Sequence, residues 1–174
     1  GTPTHRYLEY KITGLEGGVR TVLAPSGQAA ITMAMLTLLK GGDRVLIPDS
    51  VYGPVRDFAG NELGALGVEA VFYDPLNLAT LEQLIDSRTR LVWVESPGSV
   101  TMEVQDIPAI VAMAHARGAL VGCDNTWATP LYFRPLDHGA DLVVEALSKH
   151  FSGHSDILMG SVTVRDDALG YKLK

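Results

Sequence analysis

The sequence predicts an α/β protein: a mostly parallel sheet with helices on both faces. Three observations carry this expectation. Short apolar runs such as 44–48, 91–95 and 119–123 alternate with segments of helical character such as 29–39 and 106–117, the order that produces parallel strands joined by crossover helices. Polar or chemically useful residues, Ser26, Tyr52, Ser99, Asp124 and Lys149, each follow one of those runs, and in such sheets ligands collect outside the carboxyl ends of the strands. No internal repeat or low-complexity linker breaks the pattern over 174 residues, so the chain reads as one domain or most of one.

Composition narrows the function classes. Hydrophobic residues make up 47% and charged residues 20%, which suits a folded globular chain and argues against disorder. A formal charge of −6 without a basic cluster gives no footprint for nucleic acid or an anionic membrane. The single cysteine, Cys123, excludes an internal disulfide and, flanked by Leu120-Val121-Gly122, reads as a small core residue. A reducing, cytoplasmic setting is expected. No apolar run is long enough to span a bilayer, and residues 1–5 have no signal-peptide character.

The elements follow in order. Leu8, Ile12 and Leu15 recur at helical spacing and Gly17-Gly18 ends the pattern. A strand over 20–24 leads through Pro25-Ser26-Gly27-Gln28 into a helix over 29–39, closed by Gly41-Gly42. Strand, glycine turn and helix form an anion-site order, because the first N–H groups and the dipole of the helix face the turn. Ser26 serves equally well as an N-cap. A strand over 44–48, the loop Asp49 to Pro54 and a helix to about 66 come next, placing Tyr52 in a strand-to-helix loop. Strands over 68–73 and 91–95 flank a short helix over 79–85. A polar loop over 96–104 precedes a helix capped by Asp106 with Pro108 in its first turn. Strands over 119–123, 141–147 and 159–164 complete the set.

Lys149 lies between the last buried run and the turn Phe151 to Asp156. A lysine there is either a surface residue after a strand or an amine in a partly apolar pocket, where desolvation favours the neutral, nucleophilic form. Nucleotide fingerprints do not support the rival chemistries. The G-x-G-x-x-G motif does not follow the first strand, a P-loop is absent, and the adjacent His154-Ser155-Asp156 lack a nucleophile elbow. Asp137, His138 and Asp141 show no repeated metal-ligand spacing, and no metal site is expected. Lys149, an acidic Asp124, a phosphate cup at Ser26-Gly27-Gln28 with Ser148, and the ring of Tyr52 together meet the needs of pyridoxal phosphate.

Ser148-Lys149 followed by Gly153-His-Ser-Asp156, with Asp124-Asn-Thr-Trp127, Val51-Tyr-Gly53 and Ser26-Gly27 upstream in that order, resembles the cysteine/methionine-metabolism family of pyridoxal-phosphate enzymes. The resemblance runs along the whole chain. It implies an aspartate-aminotransferase-type (fold type I) cofactor-binding large domain, with residues 1–174 as its central part and the N-terminal arm and C-terminal small domain absent. Within the family, the stretch Glu95 to Val104 and the residues Ser99 and Trp127 are similar to bacterial cystathionine β-lyases, where γ-lyases and γ-synthases usually carry asparagine and phenylalanine. By this resemblance Lys149 would bind the cofactor covalently and move the Cα proton. Asp124 would pair with the ring nitrogen, and Tyr52 would cover the ring and assist proton transfer. Gly27, Gln28, Ser26 and Ser148 would hold the phosphate, with Ser99 and Thr126 beside the ring. Ala146 departs from the serine often found three residues before the lysine. The implied activity is β-elimination of an amino-acid thioether, cystathionine, by a homodimer or homotetramer. Two rival classes stay open: a non-catalytic interaction module that retains the fold, and a nucleotide-binding α/β domain.

Overall fold

Seven strands form where β-branched and other apolar residues cluster: β1 (Arg20–Ala24), β2 (Arg44–Pro48), β3 (Glu69–Tyr73), β4 (Thr89–Glu95), β5 (Leu120–Asp124), β6 (Leu142–Glu145) and β7 (Gly160–Val164). The helices are α1 (Pro3–Glu16), α2 (Gly27–Leu38), α3 (Gly53–Phe58), α4 (Leu78–Leu84), α5 (Ile107–Ala116), α6 (Thr129–Tyr132) and α7 (Asp167–Lys172). The computed structural model describes all residues 1–174.

The strands make one sheet in the order β1-β7-β6-β5-β4-β2-β3. Strands β6, β5, β4, β2 and β3 pair in parallel, whereas β7 runs antiparallel to both its neighbours. A parallel return needs a crossover helix. The segment 146–159 between β6 and β7 contains only turns, so the chain comes back antiparallel.

Alternate side chains along the strands build two cores, as the two-residue period of a strand requires. On one face Val45, Ile47, Leu91, Trp93, Leu142, Val144 and Val162 pack against Ala30, Ile31, Ala34 and Met35 of α2 and Val55 of α3. On the other, Leu46, Val92, Val94, Val121 and Cys123 meet Leu81 of α4 and Ile107, Ile110 and Ala114 of α5. Cys123 is fully buried there, in keeping with its reading as a core residue. Helix α1 lies on this second face under β1, where Thr13 bonds Thr21 at 2.7 Å and Thr21 bonds Thr163 at 2.8 Å.

Several bounds differ from the periodicity. Helix α1 begins at Pro3, ahead of Leu8, the first position of the apolar spacing, because Thr2 caps it, accepting from His5 N–H, and Pro3 occupies the first turn. Gly17 ends it at φ 71°, the left-handed conformation glycine tolerates. The helix expected through about residue 66 loosens after Phe58 into a π-turn, Ala59–Leu63. Strand β6 is shorter than the apolar run 141–147, since Ala146 and Leu147 already turn toward Lys149. Helices α6 and α7 and a 3₁₀ turn at Pro135–His138 carry too few residues for a periodic signal.

Candidate active site

An open cleft of about 150 Å³ lies beyond the carboxyl ends of β5 and β6 on the α2 face, lined by Ser26, Gly27, Gln28, Ile31, Tyr52, Asp124, Ala146, Ser148, Lys149 and Leu158. Every residue expected at the site lines it except Ser99 and Thr126.

One wall is the N-terminus of α2. Ser26 caps the helix, its Oγ accepting from Ala29 N–H at 3.0 Å, so the capping reading of Ser26 holds. The N–H groups of Gly27 and Gln28 stand in the first turn, where helical donors have no partner within the helix. Gly27 is required by contact: a Cβ there would lie 2.6 Å from the Ala146 methyl. Gly160 plays the same part from below, since a Cβ on it would meet the Ser26 carbonyl at 2.2 Å. Two glycines and one alanine thus let the anion-facing turn settle onto the ends of β6 and β7.

The opposite wall carries Lys149. Its turn is held by Lys149 N–H to Ala146 O at 3.0 Å, Ser152 N–H to Leu147 O at 3.0 Å and Gly153 N–H to Lys149 O at 2.9 Å. The ammonium nitrogen sits 5.2 Å from the centre of the Tyr52 ring, a cation–π distance. The side chain remains exposed rather than enclosed in an apolar pocket, because only Tyr52 and the cleft wall close on it. Tyr52 itself is 39% exposed, so its ring is free to cover an occupant of the cleft.

At the floor, Asp124 is 8% exposed and accepts from Thr126 N–H at 3.0 Å. Burial pushes its carboxyl up, while the Thr126 hydrogen bonds and the Lys149 charge oppose that. A cation placed against Asp124 would complete its compensation.

Thr126 and Ser99 act behind the wall. Thr126 Oγ1 accepts from Ala146 N–H at 2.9 Å and so ties the end of β5 to the start of the lysine turn. Ser99 N–H donates to Ser50 O at 3.0 Å, docking the loop after β4 on the loop before Tyr52. Sequence reasoning missed Glu95 at this site. Its carboxylate accepts from Tyr52 N–H at 2.9 Å with the Ser99 side chain beside it, and it is the register partner of Asp124. A carboxylate closing the otherwise apolar run Leu91-Val-Trp-Val was the available signal. Among the rival groupings, Asp137 pairs with Arg134 and Asp141 with His115, and His138 stacks on Phe133; His154 bonds only the Ser152 carbonyl.

The description Cys/Met metabolism PLP-dependent enzyme matches residues 1–174. The chain belongs to that family. A relative from Rhizobium johnstonii is 54% identical over 94% of this chain, and cystathionine β-lyase MetC of Escherichia coli is 41% identical over 92% of it. The solved structure of cystathionine γ-lyase from Lactobacillus plantarum, complexed with L-serine, superposes with a TM-score of 0.96 at 34% identity over 99% of this chain. The chain spans 41% of each of the two relatives and 45% of the solved chain. The family's enzymes use pyridoxal 5′-phosphate, and the residues of the cleft fit it. A helix N-terminus with the Gly27 and Gln28 N–H groups in its first turn suits the phosphate, and a buried carboxylate with no ion-pair partner suits the ring nitrogen. The fold is that of the family's lyases, a mostly parallel sheet between helices.

Proposed function

We propose that the chain is the central part of the cofactor-binding domain of a carbon–sulfur lyase that converts cystathionine and water to homocysteine, pyruvate and ammonia. The observation that supports it most is the convergence of Lys149, Asp124, Tyr52 and the α2 N-terminus on one cleft. Pyridoxal phosphate supplies an electron sink that acidifies the Cα proton of a bound amino acid.

Around it, the side chains divide the work. The N–H groups of Gly27 and Gln28 and the Ser148 hydroxyl hold the phosphate, aided by the positive end of α2. Asp124, fixed by Thr126, keeps a proton on the ring nitrogen. The Tyr52 ring covers the exposed face, and its hydroxyl assists proton movement. Lys149 would hold the cofactor through its amine and would accept the Cα proton of the substrate. The Cβ–S bond breaks with its electron pair leaving on sulfur, which is protonated to homocysteine. Water hydrolyses the remaining three-carbon fragment to pyruvate and ammonia.

Preference for β- over γ-elimination rests on Ser99 and Trp127 and on the likeness to the E. coli β-lyase. The alternative retains the same site and removes the substituent from Cγ, as in the γ-lyase neighbour's name. Exposed Leu131, Tyr132 and Leu158 near the cleft support self-association of the complete protein. Borohydride reduction after loading is expected to leave a phosphopyridoxyl group on the Lys149 peptide alone. In the loaded, unreduced complete protein, cystathionine should give pyruvate, whereas 2-oxobutyrate would move the assignment to γ-elimination.

A further inference from the structure

Glu95 ends β4 directly after the apolar run Leu91-Val-Trp-Val, and only 2% of it is exposed. Nothing in the fold alone calls for a carboxylate there. Its carboxylate accepts from Tyr52 N–H at the entrance of α3, and the Ser99 side chain of the loop after β4 stands beside it. Those loops also touch directly, through Ser99 N–H to Ser50 O and through Gly98, where a Cβ would lie 2.7 Å from Ser50. Glu95 is therefore the fastening point of the wall that carries the Tyr52 ring.

Its electrostatic surroundings are equally specific. Asp124 stands beside it on β5 in register, Lys149 faces both from the turn after β6, and the Cys123 thiol, itself pushed up by burial, lies behind. Burial, and then the Asp124 charge, push the Glu95 carboxyl up to about 7, against the Ser99 side chain, the Tyr52 N–H and the Lys149 charge.

Resting on the cofactor reading above, we propose that Glu95 is a positioning residue of the reaction, which fixes the Tyr52 wall through its hydrogen bond to Tyr52 N–H and its contact with the loop of Ser99, and sets the charge beside Asp124. When Glu95 is neutral, Asp124 is the single anion at the floor of the cleft. When it ionises, a second anion raises the proton affinity of every group near it.

Glu95→Gln retains the shape and removes the charge. In the complete protein loaded with pyridoxal phosphate, kcat is expected to fall roughly tenfold to a hundredfold with KM within about twofold, since the wall and not the substrate contacts is disturbed. The pH midpoint of the bound cofactor's absorbance change should move down by about one unit, because a nearby anion is gone. In the cofactor-free protein, the melting temperature should lose part of its decline between pH 4.5 and about 7, the window across which Glu95 titrates on unfolding and in place. Should that variant not fold, Glu95→Asp, which retains the charge with shorter reach, is expected to retain the absorbance titration while losing kcat; a shifted titration there would overturn the proposal. An unmoved absorbance midpoint and melting slope in folded Glu95→Gln would overturn it too, even with reduced kcat. With no adduct on Lys149 in the wild type, the cofactor reading itself fails and the proposal with it. An adduct present with an unmoved titration overturns the proposal alone.

Discussion

Two pairs of buried carboxyls sit at the carboxyl ends of neighbouring strands, on opposite faces of one sheet. Glu95 and Asp124 close β4 and β5 on the α2 face, beside an open cleft and a lysine. Glu145 closes β6 on the other face and meets Glu16, the last residue of α1; both are sealed, at 1% and 0% exposure. Written as two carboxylates, all four oxygens of Glu16 and Glu145 lack a donor, as does Asn125 Oδ1. A proton held between the two carboxyls is expected to satisfy one pair of these oxygens. Burial pushes both up; the Glu16 charge adds to the rise at Glu145, and the nearest opposing charge, Arg134, is already paired with Asp137. Where a cation and a cleft are at hand, buried acid serves as adjustable charge; where neither is, it becomes a neutralised structural contact.

Substitutions should separate the pairs, beginning with the largest effect. Lys149→Ala is expected to abolish turnover in the complete protein, and substantial residual β-elimination would sink the assignment. Asp124→Asn should reduce kcat roughly a hundredfold to a thousandfold, as loss of a preorganised charge at the reacting group does, with the Lys149 adduct still formed. Glu145→Gln, on the sealed face, should leave kcat within about twofold. Steady-state kinetics on the three variants test whether function stays on one side of the sheet.

The sealed pair should reveal itself in stability instead. The Glu16 carboxyl rises from 4.5 to about 7 on folding, and Glu145 rises further. A raised folded value means that their contribution is complete below pH 4.5 and is lost as pH climbs through the folded range. At about 1.4 kcal/mol per unit, Glu16 alone accounts for roughly 3 kcal/mol between pH 4.5 and 7. Glu145→Gln supplies the shared donor permanently and should flatten that decline in a thermal melt at pH 8 relative to pH 5. Equal melting temperatures for wild type and variant at both pH values would show that no proton is shared.

The same contrast explains what could be read from the chain alone. Strand positions and the lysine, aspartate and tyrosine sites follow from local patterns: an apolar run, then a polar residue at its end. The order of β7 against β6 was not so encoded, because direction depends on the missing crossover between residues 146 and 159 rather than on the strand itself. The hydrogen bonds of Ser99 and Thr126 run to Ser50 and Ala146, partners 49 and 20 positions away in the chain that no local pattern marks. Glu95, Glu16 and Glu145 escaped for a related reason. Each is an ordinary acidic residue until register, across-strand pairing or the end of a distant helix places it beside another carboxyl.

The smallest effect compares two helix caps on the two faces. Ser26 caps α2 at the cleft, and Asp106 caps α5 on the far face, each accepting from the N–H three residues on, at 3.0 and 3.1 Å. Replacing either with alanine should cost about 1 kcal/mol of stability. Only Ser26→Ala also frees the turn that presents Gly27 and Gln28 to a phosphate, so it should weaken pyridoxal phosphate binding several-fold while Asp106→Ala leaves that binding unchanged. Cofactor titration by absorbance, run with matched thermal melts, distinguishes a cap that only holds a helix from one that also shapes a binding site. Equal affinity in both variants would show that the Gly27–Ala146 contact, rather than the cap, fixes the turn.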